Sequence, residues 1–191
     1  LYFCTRNKNN NESFKPLKIK MKKLVLFGLM LLVSTISFGR NHIVDKANVT
    51  IADTLFYSAK HQVVSNPEKA SYYRLLVTVG KGLNKQDAFV DYYMDGNMKA
   101  EGSYSFLDLN NDKNSKLDGE VTTYYNNGKE QLHGNYVNGM REGYFTAQLK
   151  DGSIAIVEYK EGKPVYNYCQ VTHPNGEFEK IPLNKLNSIL E

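Results

Sequence analysis

The sequence predicts a mainly β protein, an antiparallel meander of repeated β-hairpins. Three observations predict it: turn glycines that recur at a fixed interval, strand-like composition between them, and the lack of a helical apolar stripe in the same region. Gly128, Gly152 and Gly176 are 24 residues apart, and each follows Asn or Asp, as Asn127-Gly128, Asp151-Gly152 and Asn175-Gly176. Asx-Gly pairs are strong hairpin signals, because a type I′ turn needs positive φ at both central residues. Asp95-Gly96 is a fourth copy, 32 residues before Gly128, with the extra length assigned to a polar insertion over residues 105–116. A period in the twenties is the mark of a stacked array whose units cannot bury a face alone.

Taken in order along the chain, residues 1–20 are Asn- and Lys-rich without periodicity, and are expected to be a non-translated or disordered leader, with translation starting at Met21. Residues 21–39 read as a signal peptide: Lys22 and Lys23, an apolar run over residues 24–33, then Ser37 and Gly39 at the spacing a signal peptidase accepts. A retained anchor is the competing reading, weakened by Ser34, Thr35 and Ser37 in the final turns. No stable membrane span is expected after cleavage.

This division changes the meaning of the formal charge of +4. Seven of the 24 basic residues and one of the 20 acidic ones precede Arg40, so the remainder is slightly acidic. Nucleic acid is therefore not an expected partner, since its recognition needs a basic surface. Beyond the leader Cys169 is the sole cysteine, so no internal disulfide can form, and a buried structural thiol is expected there.

Residues 40–90 lack the repeat. Strands are expected at residues 53–57, 70–79 and 88–93, as an N-terminal extension of the same sheet. The repeats proper occupy residues 91–181, where β-branched and aromatic residues dominate, as in Glu120-Val121-Thr122-Thr123-Tyr124-Tyr125. Alternation in the next strand puts Phe145, Ala147 and Leu149 on one face and Tyr144, Thr146 and Gln148 on the other, which suits a sheet with one solvated face. A second turn class, Asn138-Gly139 and Glu161-Gly162, falls between the first. The expected structural turn glycines are thus Gly96, Gly128, Gly139, Gly152, Gly162 and Gly176. In the tail, residues 182–191, Leu183, Leu186, Ile189 and Leu190 at three- and four-residue spacings suggest a short helix covering the last sheet edge.

The joint spacing Tyr124-Tyr125-x-Asn127-Gly128-Lys129, then Gly134-x-Tyr136-x-x-Gly139-x-x-x-Gly143, resembles the bacterial variant of the MORN repeat, found in proteins often labelled YwqK-like antitoxins. The resemblance covers roughly residues 91–176 and departs from the pattern at Glu158, where Gly is expected, and around Pro174. It implies hairpins building an elongated twisted sheet, and an antitoxin-like protein that binds a toxin partner as one functional reading.

Catalytic and metal sites are not expected. The stretch Asp108-Leu109-Asn110-Asn111-Asp112 looks like the start of a calcium loop, but Lys113 stands where the sharp-turn Gly belongs and Gly119 where a bidentate Glu belongs. It reads as a solvated insertion loop. The four histidines are scattered, and no nucleophile elbow, zinc signature or phosphate loop occurs. The expectation is an exported, periplasmic or extracellular, non-enzymatic protein with no cofactor, acting as a scaffold for a protein or cell-envelope partner; an unrecognised hydrolase is the enzyme-class alternative. Candidate binding residues are the tyrosines Tyr92, Tyr93, Tyr124, Tyr125, Tyr136 and Tyr144. Neighbours in a strand face opposite ways, so each Tyr pair sends one ring to the core and one outward. The competing reading is that these rings only stabilise the sheet through cross-strand pairing.

Overall fold

The computed structural model describes residues 42–46, 48–109 and 111–185. The leader, the signal segment and residues 186–191, with most of the expected C-terminal helix, lie outside the described residues. Leu183–Lys185 forms a single 3-10 turn.

The described residues form one open antiparallel sheet. Its strands are β1 (Val49–Tyr57), β2 (Tyr72–Val79), β3 (Gln86–Tyr93), β4 (Met98–Phe106), β5 (Lys116–Tyr124), β6 (Glu130–Val137), β7 (Met140–Gln148), β8 (Ile154–Lys160), β9 (Lys163–Pro164), β10 (Tyr168–Thr172) and β11 (Phe178–Pro182). Each pairs with its chain neighbour up to β8, which then pairs with both the short β9 and β10, and β11 ends the order. The three N-terminal strands thus continue the sheet of the repeats.

The turn chemistry differs from the sequence reading in an instructive way. Four hairpins close identically, across 93–97, 125–129, 149–153 and 173–177; in the second, Tyr125 N–H donates to the Lys129 carbonyl and Gly128 N–H to the Tyr125 carbonyl, both at 2.9 Å. In each, the Asx side chain accepts from the N–H two residues on: Asp95 from Asn97, Asn127 from Lys129, Asp151 from Ser153 and Asn175 from Glu177. Only the glycine has positive φ, 80° at Gly128. These are three-residue loops, a type I turn followed by a left-handed glycine, and not type I′ turns. The Asx side chain is spent holding the backbone in the ordinary right-handed region, which is why its own φ stays negative. True type I′ geometry falls on the second class: Asn138 and Gly139 at 51° and 83°, Glu161 and Gly162 at 51° and 79°.

Cross-strand partners share a face, so the register divides the sheet into two surfaces. One carries Arg74, Asp91 and Phe89, and continues through Val121 and Phe145 to Val157 and Val171; it is called the Arg74 face below. The other carries Leu75, Val90, Glu101, Thr122 and His133 and continues to Thr146, Ile156 and Gln170; it is the Glu101 face.

In the repeats the core lies on the Arg74 face: Phe145, Ala147, Leu149, Ala155, Val157, Tyr159, Cys169 and Val171 are buried there, with Leu132, Tyr136, Ile181 and Leu183 packed against them. Gly134 lies against the Phe145 ring so closely that an added Cβ would collide with it. That is a physical reason for glycine inside a strand, where it otherwise weakens pairing. Cys169 is free and fully buried, and burial pushes its thiol above the ordinary value.

Strands β2 and β3 are covered on both faces. On the Glu101 face, the 3-10 turn Ile43–Asp45 sets Ile43 over Leu75, Val77, Ala88 and Val90. On the Arg74 face, the inserted loop returns through the 3-10 turn Asp112–Asn114 and puts Asp112 on Arg74. The insertion is therefore not simply a solvated loop, because one of its carboxylates completes a buried ion cluster.

Candidate functional site

The Arg74 cluster has charge but no access. Arg74, 4% exposed, bonds Asp91 in bidentate fashion at 2.7 and 2.9 Å and Asp112 at 2.6 and 3.0 Å. Its guanidinium also lies 4.3 Å from the Phe89 ring centre and 5.1 Å from that of Tyr57. Burial by itself lowers an arginine pKa, but the Asp91 bonds and the two carboxylate charges outweigh it and hold Arg74 protonated. With all three guanidinium nitrogens bonded to the two carboxylates, the cluster is a structural lock.

A second polar group sits on the Glu101 face. The Glu101 carboxylate accepts from Ile43 N–H at 2.6 Å and Tyr124 Oη at 2.7 Å, and His42 Nδ1 lies 2.8 Å away. Burial, then the adjacent carboxylate, push the Tyr124 hydroxyl above its ordinary pKa. A histidine, a carboxylate and a hydroxyl together suggest acid and base chemistry, yet Glu101 is 7% exposed and both its oxygens are bonded within the fold. Its work is to tie residues 42–43 to the sheet.

Most of the expected tyrosines are engaged in the same way. Tyr92 stacks on Tyr73 with ring centres 5.2 Å apart, and burial pushes its pKa up to about 12. Tyr93 lies on the opposite face and donates to the Tyr124 carbonyl. Tyr125 donates to the Gln148 carbonyl, and Tyr136 meets the Phe145 ring edge-on at 5.3 Å. The Tyr92 and Tyr136 contacts join adjacent strands, whereas Tyr93 and Tyr125 reach across one strand to the next but one. Tyr144 alone of the six is a freely presented ring, at 66% exposure.

Tyr144 also has companions that the sequence reading missed. A groove on the Glu101 face is lined by Tyr144, Ile156, Glu158, Tyr166, Tyr168 and Gln170. Tyr144 pairs directly with Glu158, and Ile156 with Gln170. Tyr166 and Tyr168 stack at 5.2 Å, and the Lys180 ammonium lies 4.4 Å from the Tyr168 ring centre. Tyr166 is 47% exposed. The available signal was the i, i+2 spacing of Tyr166 and Tyr168, which sets two rings side by side where adjacent tyrosines diverge. It falls in the part of the chain where the repeat pattern fades.

Tyr144 comes forward because Gly143, at φ 77°, makes a bulge that shifts the β6–β7 register between His133 and Asn135. Such bulges re-aim side chains. Gly119, 24 residues earlier and at φ 102°, sits at the corresponding irregularity between β4 and β5.

The described residues form an open, single-sheet array of hairpins whose Glu101 face carries an aromatic, solvent-facing groove. No family model, curated protein or solved structure matches the chain. Among the described residues no helix is long and apolar enough to cross a membrane, and no group of three or more His, Cys, Asp or Glu side chains is placed to hold a metal ion.

Proposed function

We propose that this chain is an exported, non-enzymatic β-repeat protein of the MORN-variant kind, serving as an interaction scaffold for a protein or cell-envelope partner through the open Glu101 face of β7, β8 and β10. The observation that carries the reading is the groove itself: its rings are presented to solvent, whereas the other tyrosines named above are held by neighbouring strands. Exposed aromatic rings combine a large apolar area with few rotatable bonds and a polar tip, which suits them to contact surfaces. The repeated hairpin loops and the paired bulges at Gly119 and Gly143 support the repeat assignment. The basic n-region and apolar run of residues 21–39 support export.

Co-sedimentation of the full chain with isolated cell-envelope material tests the scaffold role. Binding is expected, and the double variant Tyr144→Ala/Tyr166→Ala is expected to lose it while melting like the parent. Undiminished binding by that variant would place the contact elsewhere. N-terminal sequencing of the exported protein checks the signal, with a first residue at Arg40 as the expected result.

A further inference from the structure

The geometry points to a carbohydrate subsite in this groove, occupied by a neutral oligosaccharide lying across β7, β8 and β10. The inference rests on the reading of this face as the contact surface and names its ligand. A sugar ring presents two chemistries at once: a face of C–H groups that packs on an aromatic ring, and a rim of hydroxyls that must exchange water for other donors and acceptors. The groove has both. Tyr144 and the stacked pair Tyr166 and Tyr168 supply ring surface. Between and beside them, the Glu158 carboxylate accepts, and the Gln170 amide donates and accepts. Tyr144, Tyr166 and Gln170 are exposed and Glu158 is half-buried, so the groove's polar groups are open to solvent.

Charge selects among ligands. No basic side chain lines the groove, and Glu158 is its single carboxylate. The nearby Lys180 ammonium lies on the Tyr168 ring. With Lys180 beside Gln170 on the next strand and Glu158 in the lining, one cation and one carboxylate nearly balance, so neither a polyanion nor a strongly basic segment meets a run of opposite charge. A neutral, hydroxyl-rich chain needs no such run. Cross-strand pairing places Tyr144 beside Glu158 and Ile156 beside Gln170 on three adjacent strands, and strands are spaced by ~4.8 Å. The surface is therefore wide enough for consecutive sugar rings and not for one alone.

The test is NMR and calorimetric titration of the full chain with neutral oligosaccharides of β-1,4-linked glucose, β-1,4-linked N-acetylglucosamine, mannose and galactose. The expected result is saturable binding of at least one probe, with shifts concentrated at residues 144, 156–158 and 166–170. Tyr144→Ala should weaken that binding by about ten-fold, a loss of the size of one aromatic stacking contact. Tyr144→Phe should preserve it, because the ring face and not the hydroxyl makes the contact, and Glu158→Gln should weaken it several-fold without lowering the melting temperature. Failure of every probe to give saturable shifts overturns the inference, as does binding that maps elsewhere or that Tyr144→Ala leaves unchanged. Competition of a proline-rich peptide for the same residues, with no sugar bound, also overturns it. Envelope co-sedimentation that persists under either result leaves the scaffold role standing and removes only its sugar ligand; loss of co-sedimentation removes both.

Discussion

The N-terminal strands and the repeats solve the same problem differently. Strands β2 and β3 are covered on both faces by segments from elsewhere in the chain, Ile43 over an apolar patch on one side and Asp112 over Arg74 on the other. Strands β6 to β11 concentrate their burial on the Arg74 face and leave the other open, with Tyr144 and Tyr166 presented to solvent. The difference teaches that a repeat can propagate a sheet while only one surface is buried, and that the open surface is then available for contact. It also separates two kinds of stabilisation. A buried ion cluster is expensive to assemble but costly to break, and a packed apolar row adds stability in proportion to area.

The largest expected effect breaks the polar side of this comparison. Asp91→Ala leaves the Arg74 guanidinium buried and half-paired, and should cost about 3–5 kcal/mol in urea unfolding. A loss below ~1 kcal/mol would show that the N-terminal strands are held by Ile43 packing instead. Asp112→Ala, at the more open end of the cluster, should cost less than Asp91→Ala.

On the apolar side, Phe145→Ala empties a ring site framed by Gly134, Tyr136 and Tyr159, and should cost about 3–4 kcal/mol. Amide exchange should then accelerate in β6 to β8 before it does in β1 to β3. Uniform acceleration would mean that the two regions unfold as one unit.

Alkali should distinguish the regions without mutation. Burial raises the Tyr57 hydroxyl from 10.0 to about 12, and Tyr92 likewise. The unfolded chain loses these protons near 10 and the folded chain near 12, so the unfolded state holds fewer protons in between. Stability from these groups is therefore intact below pH 10, falls as pH rises to 12 and levels off beyond, by up to about 3 kcal/mol for the fully buried Tyr57. Tyrosinate absorbance together with circular dichroism should show tyrosines that ionise only as the fold is lost. Ionisation complete near pH 10 with the fold intact would contradict the burial.

Turn substitutions have smaller effects. Gly139→Ala forces a side chain into left-handed backbone at a type I′ turn and should cost about 1–2 kcal/mol. Asn127→Ala removes one Asx bond to Lys129 N–H and should cost about 1 kcal/mol. The reverse order would mean that the turn types are exchanged. The smallest effect is Tyr144→Ala, within about 0.5 kcal/mol because the ring is exposed. A larger loss would make Tyr144 part of the core and remove it from the contact surface.

The strands and their boundaries were legible wherever local chemistry repeats. Phe145, Ala147 and Leu149 alternate with polar neighbours, and the structure buries those three. The Asx-Gly pairs marked hairpin ends correctly but with the wrong turn type, because Asx-Gly can either enter the left-handed region as a pair or use the Asx side chain to brace a type I turn. The loop length that separates these outcomes depends on the pairing register. The candidate site was legible only at Tyr144. Tyr92, Tyr124 and Tyr136 have the same local pattern, and what distinguishes them is which side chain lies on the next strand.

The sequence by itself determined that this is a hairpin meander, how its units are spaced and where its chain reverses, because turn residues, alternation and β-branched composition act over a few neighbours. Tertiary structure alone decided that Asp112 closes on Arg74, that Glu101 ties down Ile43, and that Tyr166 and Tyr168 join Tyr144 in one groove. These contacts join residues 22 to 58 positions apart, and only register, bulges and the return path of loops set which of many similar side chains meet.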